Sequence, residues 1–475
     1  MRVGKSTVIH FFSQILTSLS GFLATLIIAR YLGAETLGNY AVIVALLFWV
    51  TIPTSAIQSA IIKRMSESNK DNKYFTAGAF ILFSFAIFIS VLVNLCSKYI
   101  NEYIGVQIAL SFALIVVADV IFHVGEAPLR GKKAVGTAGL FHTLERILRT
   151  GFQIGLIFAG FTLTGLIYGH TIALVFSGVL AIVVSDVSLA FPDRNQFKKI
   201  IEYARYAWAG TLESRSFVWT DTIILKLFVA SSLVGIYEVA WTLAATLGLL
   251  FQSINQTLFP EISELSSKGE IKSILHYLNE SFVFIGIFII PGFFGAAILG
   301  TRLLKIYGSE FTSGSLILLI LIISQLLSGF GGQLRMAING IDRPDIAFRI
   351  SIATVVTNIT LNFVLIWQFG WYGAAIATTV SAGVSLLLSY QALGNLIGIP
   401  KLPWRQIGYE FVASICMSVV ILTAKPWLPA NNYTTIGIVL VGALVYTIVL
   451  IGISDRIRQK ILTLIPNNQF EMKLI

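Results

Sequence analysis

Long runs of apolar residues limit the fold of this chain more than any other feature of its sequence. A helix needs about 20 apolar residues to cross the bilayer core, where only internal hydrogen bonds satisfy the backbone. The runs that meet this length are 8–30, 39–62, 75–97, 105–126, 137–160, 163–187, 204–228, 236–258, 279–303, 314–340, 346–368, 374–394, 405–424 and 434–453. We therefore predict an all-α polytopic membrane protein with about 14 transmembrane helices.

The charged residues support this class and indicate an orientation. They make up only 12% of the chain, about half the fraction in a soluble domain. Most of the 33 Lys and Arg residues fall in alternate connections, which predicts a multi-pass protein of the cell membrane with both termini in the cytoplasm. This topology accounts for the net charge of +10 without a nucleic-acid partner.

No pattern typical of catalysis or cofactor binding is present in the sequence. Gly4-Lys5-Ser6-Thr7 lacks the first glycine of a phosphate-binding loop and follows no strand. Cys96 and Cys416 lie far apart in or beside apolar runs, which argues against a disulfide framework and a zinc site. We expect no catalytic residue, no metal site and no cofactor, and we do not expect an enzyme.

The chain contains an internal repeat. Gly38-x-Tyr40 matches Gly235-x-Tyr237 at an offset of 197 residues, and Ser66-Glu67 matches Ser263-Glu264 at the same offset. Two six-helix halves that both start inside imply parallel repeats with a substrate site between them. The predicted segments are an N-terminal half (1–190), a linker (191–203), a C-terminal half (204–395) and two additional helices with a tail (396–475).

Charged and polar residues within the predicted spans are the candidates for function, because a charge at mid-bilayer costs at least about 2.5–3.5 kcal/mol. Folding spans four and five as a hairpin would bring Asp119 to the level of Glu145 and Arg146, and His123 to that of His142. The set is either a structural ion-pair group or the wall of a polar cavity. Its members are Asp119, His123, Glu126, His142, Glu145, Arg146 and Arg149.

The second half carries a comparable set. Arg335 has no acidic residue within a turn on its own helix, so we expect its partner to be another helix, water or an anionic ligand. The planar guanidinium group suits phosphate because it offers paired donors. The members of this set are Glu213, Arg215, Asp221, Arg335, Asn358 and Asn362.

Several motifs occur in the order and spacing typical of one family. The stretch Ala29–Ala41 resembles the signature after the first span of polysaccharide-type flippases. The other motifs are Asp221-Thr222-Ile223-Ile224-Leu225 with Val234-Gly235-Ile236-Tyr237, Phe259-Pro260-Glu261, Asn339-Gly340-Ile341-Asp342-Arg343-Pro344, the pair Asn358 and Asn362, and Gly373-Ala374-Ala375-Ile376-Ala377. Over residues 1–395 the chain thus resembles the polysaccharide transporter branch of the multidrug/oligosaccharidyl-lipid/polysaccharide flippase superfamily.

The resemblance implies a V-shaped central cavity and a substrate. This branch moves polyprenyl-diphosphate-linked oligosaccharides, such as O-antigen, capsule or exopolysaccharide units, from the cytoplasmic to the outer leaflet. The residues that it implies for a cationic, substrate-binding cavity are Arg30, Arg146, Arg149, Arg215 and Arg335. Those that it implies for internal pairing or for coupling to H+ or Na+ are Asp119, His123, Glu145, Glu213 and Asp221, with Asn358 and Asn362 as polar cavity residues.

The sequence leaves other functions open. Within the fold they are a lipid II flippase and a multidrug or cation antiporter. Outside it they are a membrane enzyme, such as a polysaccharide polymerase or ligase, and a non-transporting scaffold. The expected partners are the lipid-linked oligosaccharide, membrane lipids, and the polymerase and assembly proteins of a polysaccharide pathway.

Overall fold

The computed structural model describes residues 2–67 and 72–464, and these ranges are mainly helical, with no strand. The helices are α1 (Arg2–Val50), α2 (Ile52–Glu67), α3 (Asn72–Leu95), α4 (Ser97–Ile104), α5 (Ala109–Gly131), α6 (Val135–Phe158), α7 (Leu163–Ser185), α8 (Arg194–Phe228), α9 (Ser231–Ser267), α10 (Ile271–Lys305), α11 (Ser315–Gly340), α12 (Pro344–Phe369), α13 (Trp371–Ile397), α14 (Trp404–Ala424), α15 (Asn432–Ile453) and α16 (Asp455–Leu464).

The all-α prediction is confirmed, and each predicted span from the third onward has its own helix. Within the described ranges, ten helices have the length and hydropathy needed to cross a membrane. Helices α6, α8 and α9 also fall on predicted spans. The protein is therefore a multi-pass membrane protein, and the count of 14 is consistent with its helices.

The predicted boundary between the first two spans coincides with a break in α1. Gly33 has non-helical backbone angles, with φ at 78° and ψ at 176°, so two helices meet at this kink between spans 8–30 and 39–62. Helix α2 begins at Ile52, so the predicted second span is divided at Thr51. Pro53, which follows, has no N–H to donate and is best tolerated in the first turn of a helix, so it favours the boundary seen here.

The chain divides into two compact units, Met1–Thr242 with Val355–Ala377 and Leu243–Thr354 with Thr378–Ile475. In the first unit, α7 packs along both α5 and α6. Its apolar core includes Ala60, Ile61, Leu82, Val120 and Ile200. The core of the second unit includes Ile262, Leu278, Phe282, Leu334 and Leu393.

Large apolar side chains are also exposed on several helices. Helix α3 exposes Ile87 and Phe88, and α15 exposes Leu440, Leu444 and Ile448. Such continuous apolar faces are unstable in water but match the acyl chains of a bilayer. These faces are expected to contact lipid.

Repeat-related residues meet where α1 crosses α9. A Cβ atom on Gly38 would lie 1.8 Å from the carbonyl oxygen of Ser231, and one on Gly235 would lie 2.0 Å from that of Ala34. Ala34 and Ser231 are 197 residues apart, as are Gly38 and Gly235. The contact is thus reciprocal, as a two-fold relation between the repeats requires.

The turns that follow α5 and α11 form a second repeat-related pair. The N–H of Ala134 donates to the carbonyl oxygen of Leu129 at 2.9 Å, and the N–H of Arg343 donates to that of Ile338 at 3.1 Å. The residue before each donor has a positive φ, 62° in the first turn and 61° in the second. Because these pairs are 209 residues apart, α6 and α12 begin in the same register at that offset.

Adding a methyl group at the α1–α9 crossing should destabilise the protein. In Gly38→Ala and Gly235→Ala the new Cβ would overlap backbone carbonyl oxygens, so the helices must separate. Overpacking of this kind costs about 1–3 kcal/mol or more. We expect both variants to unfold at lower temperature than the unaltered protein in detergent, measured by tryptophan fluorescence.

Gly155→Ala is the matched control for this prediction. Gly155 lies in α6, where an added Cβ atom would meet no heavy atom within 4 Å, and alanine is the better helix former. We expect an unchanged or slightly raised unfolding temperature. Equal losses in all three variants would contradict a specific crossing at Gly38 and Gly235.

Candidate substrate- and ion-binding sites

A buried polar cluster, the Arg149 cluster, lies in the first unit. Helix α6 contributes Glu145, Arg149 and Gln153 at a spacing of four residues, so all three share one helix face. Arg149 Nε lies 3.5 Å from Glu145 Oε1, and His170 Nε2 on α7 lies 3.7 Å from the same oxygen. Gln153 Nε2 donates to the hydroxyl of Tyr40 on α1 at 2.7 Å.

The hydrogen bonds of the Arg149 cluster define the tautomer of His170. Arg149 Nη1 lies 3.1 Å from His170 Nε2, and a guanidinium can only donate, so Nε2 accepts. His170 Nδ1 therefore carries the proton and donates to the Tyr40 hydroxyl at 3.1 Å. In this arrangement the imidazole is neutral and orients both neighbours.

The acidic residues of α5 have partners, but these differ from the partners that the predicted hairpin offers. Asp119 Oδ2 lies 3.3 Å from His123 Nδ1 on the same helix, rather than pairing across to α6. Glu126 accepts from Gln58 Nε2 of α2 at 3.1 Å and from Arg130 Nε at 2.9 Å. Helix α2 packs against α5 and provides Gln58 for Glu126. Helix α7 packs along α6 and provides His170 for Glu145. These are partners that a two-helix hairpin lacks.

One part of the hairpin register agrees with the structure. The ring of His142 lies 5.7 Å from that of Phe122, centroid to centroid, and Phe122 is adjacent to His123. The histidines of α5 and α6 thus lie at nearly the same level, as predicted. Aromatic packing, rather than an ion pair, connects the helices there.

The candidate arginines differ in exposure. The Arg146 side chain is 41% exposed and its Nε lies 4.0 Å from Glu145, whereas the Arg149 side chain is 15% exposed. Arg30 is exposed, and Arg335 is partly buried, with its Nη1 donating to Ser385 Oγ at 3.0 Å. The side chains of the remaining candidates on α8, Arg215 and Glu213, lie outside the described residues.

A second buried group, the Asp221 site, also lies in the first unit. Asp221 on α8 is 5% exposed, and Tyr237 of α9 donates its hydroxyl to Oδ2 at 2.9 Å. Asn362 Nδ2 on α12 donates to Oδ1 at 2.7 Å, and Asn358 Nδ2 lies 3.4 Å from the same atom. Both amides are buried and point at the Asp221 carboxylate.

The donor set of the Asp221 site fits a hard monovalent cation. Asn362 Oδ1 is buried and has no hydrogen-bond partner among the described residues. Rotating each amide by 180° exchanges its N and O atoms and turns oxygens toward the Asp221 carboxylate. Carboxylate and amide oxygens are the ligands that hard cations prefer. With both amides rotated, the three side chains would present oxygen ligands to such a cation.

Four residues in these two groups have no role that the sequence alone assigns. Tyr40 and Tyr237 stand out only as parts of the repeat, and Gln153 and His170 do not stand out. Their signal is present in the sequence, because Gln153 follows Arg149 by four residues and both tyrosines recur at the offset of 197. Only the helix packing shows that each tyrosine reaches the polar group of its own half.

Comparison with known proteins agrees with this fold. The chain matches, with a TM-score of 0.76 and 17% identity, a structure of the lipid II flippase MurJ in an inward closed conformation, covering 96% of this chain and 99% of that one. At this identity the match shows the fold alone. The protein therefore has the fold of a polytopic membrane transporter.

Sequence comparison shows the family. Residues 3–266 match the family described as polysaccharide biosynthesis protein. The chain is 30% identical to the "Probable flippase AglR" of Haloferax volcanii over 98% of its length and 99% of that protein. It is 29% identical to the "Probable low-salt glycan biosynthesis flippase Agl15" of the same organism, over 94% and 95%. The chain belongs to the polysaccharide biosynthesis protein family.

Proposed function

We propose that this protein is a flippase that moves a polyprenyl-diphosphate-linked oligosaccharide from the cytoplasmic to the outer leaflet. The observation that carries the proposal is the 30% identity to a probable flippase over 98% of the chain. The fold supports alternating access, in which a site within the membrane opens to each side in turn. The protein is a transporter rather than an enzyme.

The diphosphate is the part of this substrate that an arginine can recognise. Arg146 and Arg335 are the preferred ligands because each is partly exposed within a predicted span. A guanidinium binds phosphate oxygens through paired, charge-assisted hydrogen bonds. Arg30 and Arg215 are further candidates, and the sugar units would follow the diphosphate across the membrane.

The Asp221 site provides the coupling to a cation gradient. Its carboxylate and two amides could bind Na+ when the amides rotate, and Tyr237 would hold the second carboxylate oxygen. When Asn358 and Asn362 coordinate an ion at Asp221, the packing of α12 against α8 and α9 changes. Cation binding is thereby linked to helix movement.

The proposed location is the cell membrane, with both termini in the cytoplasm. The concentration of Lys and Arg in alternate connections supports this orientation. A polymerase or other assembly protein at the outer leaflet would consume the flipped substrate.

Lipid II is the second candidate substrate, because the fold matches that of a lipid II flippase over 96% of the chain. Depletion of the protein in its host distinguishes the candidates. We expect a lipid-diphosphate-linked oligosaccharide to accumulate in the cytoplasmic leaflet, measured by leaflet-specific labelling of its sugars.

Two other outcomes would contradict the proposed substrate. Accumulation of lipid II alone would identify the second candidate. Normal glycan display together with new sensitivity to cationic dyes would indicate an antiporter of the same fold.

A further inference from the structure

The register of the repeats relates the Arg149 cluster to the Asp221 site. Helices α6 and α12 follow equivalent turns and correspond at an offset of 209 residues. At this offset, Arg149 corresponds to Asn358 and Gln153 corresponds to Asn362. The two amides at the Asp221 site therefore have an arginine and an amide as their counterparts in the N-terminal half.

The tyrosines and the carboxylate position extend this correspondence. Tyr40 and Tyr237, 197 residues apart, each contribute a hydroxyl group to the polar group of their own half. At the same offset, Asp221 corresponds to Ala24 on α1. Helix α1 contacts α6 at this level, since Ser20 Oγ, one turn before Ala24, lies 2.7 Å from Thr150 Oγ1.

We infer that the Arg149 cluster is the repeat-related copy of the Asp221 site, in which the Arg149 guanidinium replaces the bound cation. The copy lacks the carboxylate on α1 because Ala24 occupies that position. Glu145, 3.5 Å from Arg149, supplies the compensating negative charge from α6 instead. His170 Nε2 lies 3.1 Å from Arg149 Nη1, and His170 Nδ1 lies 3.1 Å from the hydroxyl of Tyr40. These two side chains complete the polar surroundings of the Arg149 guanidinium.

The inference gives Arg149 a different role from the one that the family resemblance implies. Its side chain is 15% exposed and engaged with Glu145 and His170, so it is a positioning residue rather than a diphosphate ligand. Only the C-terminal half then exchanges a cation with the solution. This asymmetry rests on the proposed coupling at Asp221 and predicts a single exchangeable cation for each chain.

Restoring the N-terminal site tests the inference directly. The double variant Ala24→Asp/Arg149→Asn places a carboxylate and an amide where the Asp221 site has them. We expect purified protein to bind twice as much radioactive sodium as the unaltered chain. Adding Asp221→Asn to the double variant should return binding to the level of the unaltered chain. No gain of binding by a double variant that unfolds at the normal temperature would overturn the inference.

A kinetic comparison gives a second test that needs neither sodium nor the double variant. Arg149→Gln should leave the KM for the lipid-linked oligosaccharide within about twofold while lowering kcat, because a positioning residue does not bind substrate. Arg146→Gln should raise KM by about tenfold, as expected for a lost charged hydrogen bond. An equal rise in KM for both variants would show that Arg149 binds the diphosphate.

The outcomes separate this inference from the proposed coupling. If the unaltered protein binds no sodium, the proposal for Asp221 fails, and the KM comparison then decides the role of Arg149. If the unaltered protein binds sodium but Arg149→Gln raises KM as Arg146→Gln does, the coupling stands and the inference is wrong.

Discussion

Replacing Arg335 with alanine lowers the rate of oligosaccharide translocation at least about tenfold in our account. The guanidinium, which we propose binds the diphosphate, is partly buried on α11 and donates to Ser385. Hydrogen bonds to charged groups are worth about 1.5–3 kcal/mol, which corresponds to roughly 10- to 150-fold in rate or affinity. Initial flipping rates in proteoliposomes, normalised to inserted protein, measure the effect.

Two further variants test whether the loss of activity in Arg335→Ala is specific to its guanidinium group. Arg335→Lys should recover activity only in part, because an ammonium lacks the planar pair of donors. Arg343→Ala is the matched control, since Arg343 is 45% exposed in a surface ion pair with Asp345, and such pairs are worth about 0–1 kcal/mol. Full activity of Arg335→Ala would remove this residue from the substrate site.

Replacing Asp221 with asparagine should abolish the effect of sodium on the stability of the protein and slow the flipping of substrate. The change keeps the shape of the side chain but removes the one carboxylate that we place at the coupling site. A ligand present at 100 times its Kd stabilises the folded state by about 2.7 kcal/mol, so saturating sodium should raise the unfolding temperature of the unaltered protein. In Asp221→Asn we expect this rise to disappear and the flipping rate to fall at least about tenfold.

Asp345→Asn serves as the control for this prediction, because Asp345 is 50% exposed and pairs with Arg343 rather than with a member of either polar cluster. It should retain both the sodium-induced stabilisation and transport. If Asp221→Asn still shows the full stabilisation by sodium, the cation binds elsewhere. If it loses the stabilisation but transports at the normal rate, the ion has a structural role.

Much of the fold was predictable from sequence because bilayer thickness fixes helix length. The spans from 75–97 onward each coincide with a helix, since apolar length alone defines them. The first boundary was also predictable, since the break at Gly33 lies between spans 8–30 and 39–62. The division of the second span at Thr51 was not, because hydropathy does not distinguish a kinked helix from two short ones.

The site was predictable only in its composition. Asp221, Asn358 and Asn362 are identifiable from sequence as separate polar residues, but their meeting depends on how α8 packs against α12. The predicted hairpin offers Asp119 partners on α6, whereas in the structure Asp119 pairs with His123 of its own helix. The repeat offset held at Gly38 and Gly235, where the structure adds a close contact that the sequence pattern does not contain.

Transfer of substrate by the purified protein tests the central claim most directly. The protein would be reconstituted into liposomes in which only one leaflet carries a polyprenyl-diphosphate-linked oligosaccharide with a labelled sugar. Our account predicts rapid loss of leaflet asymmetry with the unaltered protein and slow loss with Arg335→Ala. The contrary result would be a leaflet asymmetry of the oligosaccharide lipid that persists as long as in protein-free liposomes, although the same vesicles transfer lipid II. That result would contradict the proposed substrate.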